Sequence, residues 1–199
     1  MAGTARTSAP KEGDTFTLDQ WRAWPEGERW ELIGGIAYNM SPAPKVRHQG
    51  LVGSLYYDLC TYLEEKDCNP FIAPVDVFLP DGDAESTETV VQPDILVVCN
   101  TEKIREDGIY GAPDFIAEVL SPSTAYKDMS VKMKLYESSG VREYWMVNPD
   151  TGSVFRYVLK DGRYGAVTEI LLGEGVESAI FKGFVWQVPA IRKLKATPS

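Results

Sequence analysis

Apolar residues recur along this chain with two periods, and the periods mark its elements. From about Val46 to Glu65, Leu51, Val52, Leu55, Tyr56, Leu59, Tyr62 and Leu63 follow a 3.6-residue spacing, which predicts a long amphipathic helix. A second helix is predicted from about Ala125 to Ser139, with Ser123 or Thr124 as cap and Gly140 as stop. Between them lie short apolar runs of strand character: Phe71 to Leu79, Asp94 to Cys99 and Phe115 to Leu120. Arg142 to Val147 follows the second helix. Trp30 to Ile33 and Ile36 to Met40 flank Gly34-Gly35, a hairpin signal. Thr17 is placed to cap a short helix from Leu18 to Trp24.

The polar stretches fill in the rest. Residues 41–44 read as a rigid Pro-containing connector and Asp81 to Thr89 as an acidic loop. Thr101 to Gly108 reads as a polar turn, and Val154 to Trp186 as short strands with Gly turns. The pattern suggests an α/β core with a mixed sheet. The organisation expected is a flexible arm over residues 1–14 and a single domain over 15–199.

Two acids break the apolar pattern. Asp94 stands at the mouth of the run Ile95-Leu96-Val97-Val98, directly after Pro93. Glu118 falls mid-strand, with Phe115, Ala117 and Val119 on one face and Ile116, Glu118 and Leu120 on the other. Buried, unpaired carboxylates are costly and repel each other, so a shared divalent cation, separate ion pairs with Lys or Arg or, for Asp94, backbone N–H groups at a turn must offset them. Lys132 falls inside the apolar arc of its helix with Ala125, Met129, Met133, Leu135 and Tyr136, where it needs an anionic partner. That partner is either the two acids or Asp128, one turn earlier. His48, the only histidine, shares the apolar face of the long helix and reads either as a core or capping residue or as a phosphate or water contact. Glu31 either completes the acid cluster or faces solvent from its strand.

Composition narrows the chemistry. The net charge of −9 is unlike that of a tight nucleic-acid binder, so a nucleic-acid role would need a local basic patch or metal ions on a carboxylate cluster. Three cysteines without CxxC spacing indicate neither a disulfide framework nor a zinc knuckle, and suggest reduced thiols in a cytoplasmic protein. No apolar run approaches the ~20 residues that span a bilayer, and no signal-peptide core is present. GxGxxG at a helix start, GxxxxGK[ST] and GxSxG are absent. A glycosidase acid pair stays open but leaves the inward Lys unexplained.

The order Pro93-Asp94, Glu118 and an inward Lys resembles the PD-(D/E)XK nuclease superfamily. The stretches WELIGG, SPAPKVRHQ, APVDVFL, VVQPDILVV, GAPDFIAEVLSPST and KMKLYESSGVREYW resemble more closely a bacterial restriction-endonuclease family formerly filed as a domain of unknown function. The likeness runs from about Thr17 to Ala190. It implies a restriction-endonuclease-like α/β/α core with a mixed central sheet. It also implies Mg²⁺- or Mn²⁺-dependent cleavage of DNA by a homodimer, with Asp94, Glu118 and the Val119 carbonyl as metal ligands and Glu31 as a further candidate. Lys132 matches the catalytic Lys, displaced from the position of Leu120 to the next helix, and His48 is a secondary catalytic candidate. Gly34-Gly35 and Asn148 stand where the family has acidic residues. The rival expectation is a catalytically idle nucleic-acid- or protein-binding module on the same fold.

Overall fold

The computed structural model describes residues 10–24, 30–40, 45–80, 88–121, 128–171 and 173–188. The 41–44 connector, most of the acidic loop and the expected start of the second long helix lie outside them. So does the arm before Pro10. The arm's last residues are tied down: Gly13 N–H donates to the Ala37 carbonyl at 2.9 Å and Ala37 N–H to that of Asp14 at 2.8 Å.

Helix α1 spans Leu18–Arg22 and opens with the reciprocal cap its sequence predicts, since Thr17 and Gln20 exchange side-chain and backbone hydrogen bonds. Helix α2 spans Val46–Leu63. A π-helical turn, Asp128–Lys132, leads into α3, Met133–Ser139. Gly140 ends α3 with a φ of 88°, a left-handed conformation that favours glycine.

The strands divide between two large sheets. The first contains the hairpin β1 (Trp30–Ile33) and β2 (Ile36–Asn39), with β4 (Val77–Leu79), β5 (Thr89–Val91), β7 (Ile104–Arg105) and β8 (Gly108–Tyr110), in the order β2-β1-β5-β4-β8-β7. The second contains β3 (Asn69–Ile72), β6 (Ile95–Val98), β9 (Phe115–Val119), β10 (Glu143–Asn148), β11 (Ser153–Lys160) and β12 (Arg163–Tyr164), in the order β12-β11-β10-β9-β6-β3. It is mixed: β9 and β10 run parallel, while β6 runs antiparallel to β9. β13 (Thr168–Leu171) also pairs with β11, and β14 (Val176–Glu177) with β15 (Val185–Trp186).

The second sheet is covered on both faces. Leu51, Val52, Leu55, Leu59 and Leu63 of α2 pack with Phe115, Ala117, Val119 and Trp145. On the other face, Tyr136 of α3 and the first sheet's Val77, Leu79 and Val91 pack with Ile116, Leu120, Tyr144 and Met146. The alternation along β9 thus sends its odd residues to α2 and its even residues to α3.

Two sequence expectations change. The run Phe71 to Leu79 is two strands, not one: β3 and β4 belong to different sheets. Pro74 cannot donate a ladder hydrogen bond, and the chain breaks there. Likewise Val90 and Val91 belong to the first sheet, and the chain crosses to the second at Gln92-Pro93. The expectation of reduced thiols without a disulfide is also corrected, because Cys68 and Cys99 are bonded and Cys60 is free. Counting cysteines cannot reveal that pair. The antiparallel register, Asn69 opposite Val98, carries it one place further to set Cys68 opposite Cys99. No helix among the described residues is long and apolar enough to cross a membrane.

Glu143 opens β10 fully buried. Its carboxylate accepts from Trp145 Nε1 (2.7 Å), Ser178 Oγ (2.7 Å) and the N–H groups of Ala179 (3.0 Å) and Ile180 (3.1 Å). It thereby ties the 178–180 turn to the central sheet. Glu143→Gln would turn an amide NH₂ toward donors and is expected to cost about 2–3 kcal/mol in chemical denaturation.

Candidate active site

The register of β6 on β9 builds the site. Ile95 lies opposite Ala117 and Leu96 opposite Ile116, so the next place back sets Asp94 opposite Glu118. Asp94 occupies the corner where the chain leaves the first sheet for the second. Its own N–H donates to Glu118 Oε2 at 3.3 Å, and its Oδ2 accepts from Val119 N–H at 2.8 Å. Each carboxylate is therefore tied to the backbone of the other's segment, Glu118 to Asp94 N–H and Asp94 to Val119 N–H.

Lys132 approaches from the end of the π-helical turn. Its Nζ lies 2.8 Å from Glu118 Oε1 and 2.9 Å from Glu31 Oε1, and all three side chains are nearly solvent-free at 6%, 6% and 2% exposure. An ion pair this deep holds because two carboxylates face one ammonium and further donors reach them. Glu31 Oε1 also accepts from Gln92 N–H at 3.1 Å. The hydroxyl of Tyr136, one turn beyond Lys132, donates to Glu118 Oε1 at 2.9 Å. Burial, and then the Glu118 charge, hold that phenol well above its ordinary pKa, so it stays a donor.

His48 comes from the first turn of α2. Its Nε2 is 3.2 Å from Asp94 Oδ2, and its Nδ1 is buried without a hydrogen-bond partner among the described residues. Asp94 is the most open of these five acidic and basic groups, with its side chain 22% exposed.

The structure thus brings together Asp94, Glu118, Val119, Lys132, Glu31 and His48, all singled out from the sequence. Of the explanations for the acids, a Lys ion pair does hold Glu118. Asp94 takes a histidine and an amide instead. Lys132 meets Glu118 and Glu31, while the side chain of Asp128 lies outside the described residues. Glu31 is buried, not solvent-facing.

Sequence reasoning missed three participants. Tyr136 had been counted only as an apolar residue, although its i, i+4 relation to Lys132 sets both on one face. Gln92 and Asp76 face each other across β5 and β4, with Gln92 Nε2 donating to Asp76 Oδ1 at 2.7 Å. Burial, only partly offset by that hydrogen bond, raises the Asp76 pKa. Gln92 stands immediately before Pro93-Asp94, and that adjacency was the signal available for it.

Among the described residues no three His, Cys, Asp or Glu side chains form a ready-made cation cage. The oxygens of Asp94 and Glu118 at the corner nevertheless suit a hard cation of the Mg²⁺ kind. Such ions take one or two carboxylates and complete their shell with water and substrate phosphate.

The same mixed α/β fold is found among solved structures. A crystal structure of "a putative nuclease belonging to DUF820 from Anabaena variabilis" superposes with a TM-score of 0.68 at 20% identity, covering 83% of this chain and 90% of that one. The Uma2 family model, described as "Putative restriction endonuclease", matches residues 18–189, and the chain belongs to that family. No curated protein matches the sequence.

Proposed function

We propose that this protein is a Mg²⁺- or Mn²⁺-dependent endonuclease that hydrolyses phosphodiester bonds in DNA. The observation that carries the reading is the facing of Asp94 and Glu118 across β6 and β9, with Lys132 bonded to Glu118. Family membership supports nuclease activity in general.

Asp94 and Glu118 would hold the cation, with the Val119 carbonyl as a candidate further oxygen. Bound there, a divalent ion supplies Lewis-acid polarisation of the phosphate and acidifies a water. The chain's own groups do the remainder. Lys132, held between two carboxylates, orients the attacking water and offsets the negative charge that grows on the phosphate. Glu31 is assigned to hold Lys132, since its Oε1 is shared between that ammonium and the Gln92 amide. His48 positions Asp94 through Nε2. Cutting both strands of a duplex often uses two such sites, which a homodimer would supply. We place the activity in the cytoplasm.

The reading is tested by incubating the protein with supercoiled, linear, single-stranded and branched DNA, in Mg²⁺ and in EDTA. Cleavage of at least one form in Mg²⁺ and none in EDTA is expected. DNA binding of equal strength in both buffers, with no cleavage, would favour the idle binding module.

His48→Ala is expected to lower single-turnover cleavage by about 10²-fold with little loss of melting temperature. A large fall in melting temperature with unchanged activity per folded molecule would make His48 a purely structural residue.

A further inference from the structure

We infer that Tyr136 is a positioning residue for the cation site, fixing which oxygen of Glu118 is presented to it. The inference rests on the nuclease reading above and extends it to a residue that touches neither phosphate nor metal.

The geometry is asymmetric. Lys132 Nζ and the Tyr136 hydroxyl both bond to Oε1 of Glu118, at 2.8 and 2.9 Å. Oε2 is the oxygen turned to Asp94, whose N–H it accepts at 3.3 Å. A carboxylate held by one donor can swing about its last torsion, which is broad and two-fold. Two donors converging on one oxygen from different directions remove that freedom. Lys132 cannot do this alone, because Glu31 draws the same ammonium at 2.9 Å.

Tyr136 suits the task. It is fully buried, so its hydroxyl has no water to turn to. Its ring packs edge-on against Tyr144 at 5.0 Å between centroids, which limits rotation. Oε2 is then the oxygen left beside Asp94. This is the arrangement by which groups behind a metal ligand commonly set its affinity.

The test is Tyr136→Phe, which keeps the ring and deletes the donor. Mn²⁺ binding is measured by titration calorimetry on the folded proteins, beside the Mn²⁺ dependence of cleavage. The variant is expected to bind Mn²⁺ about 10-fold more weakly. It should recover wild-type cleavage when Mn²⁺ is raised by that factor, with the KM for DNA unchanged. A merely structural tyrosine would lower the melting temperature and leave Mn²⁺ affinity as in wild type, and that result would overturn the inference. Wild-type protein that itself binds no Mn²⁺ would overturn the cation reading and this inference together. Tight wild-type binding with equal binding by Tyr136→Phe would overturn this inference alone.

Discussion

Lys132→Met is expected to lose about 3–5 kcal/mol of stability as well as all cleavage. The side chain lies between two carboxylates at 2.8 and 2.9 Å, and all three groups are nearly solvent-free. Methionine matches its volume but leaves Glu31 and Glu118 facing each other without a cation. Removing one partner of a buried ion pair costs that much because the charge left behind has no solvent to turn to. Stability and chemistry are therefore coupled at this residue, and loss of activity in a Lys132 variant means little without a melting curve. Glu31→Gln combined with Lys132→Met should recover part of the stability and none of the activity, since it removes one of the stranded charges. Urea melts of the three proteins check both statements. A Lys132→Met protein as stable as wild type would mean that the ammonium is not needed to hold the acids.

Asp94→Asn is expected to behave in the opposite way: little change in the metal-free fold, and complete loss of cation response. Its carboxylate is 22% exposed and meets Val119 N–H and His48, contacts an amide oxygen can partly keep. Wild type, at a Mg²⁺ or Mn²⁺ concentration 100 times its Kd, should gain about 2.7 kcal/mol by mass action. The variant should lose most of that gain, because half of the paired carboxylate oxygens at the corner are replaced by a neutral group. Thermal melts with metal and with EDTA decide it. A strongly destabilised Asp94→Asn that still responds to metal like wild type would mean that Asp94 serves the fold and not a cation.

Much of this arrangement was legible in the residues. The alternation of β9 told which way Glu118 points, because a two-residue period leaves no choice of face. The helical wheel picked out Lys132 as inward, and the interlocked strands explain what it meets. Glu31 was less decidable, since a four-residue strand beside two glycines does not say which side is covered. Lys132 and the Gln92 backbone N–H, both distant in sequence, meet it there, and that is a tertiary fact. The split of Phe71 to Leu79 between two sheets was signalled by Pro74, yet an apolar run on both sides outweighed it. The Cys68–Cys99 bond depends on strand register, which local pattern does not contain. Tyr136 was read by its ring, whereas its role lies in its hydroxyl. Aromatic residues at helical spacing are ordinary core, and only the neighbouring Glu118 gives this one a second task.

The central claim is that Asp94 and Glu118 form one cation site for DNA hydrolysis. It is tested most directly by nicking of supercoiled plasmid, comparing wild type, Asp94→Asn and Glu118→Gln at equal folded concentration in Mg²⁺ and in EDTA. The account predicts nicking by wild type in Mg²⁺ alone and none by either variant. Nicking by both folded variants at the wild-type rate, or by wild type equally in EDTA, would contradict it.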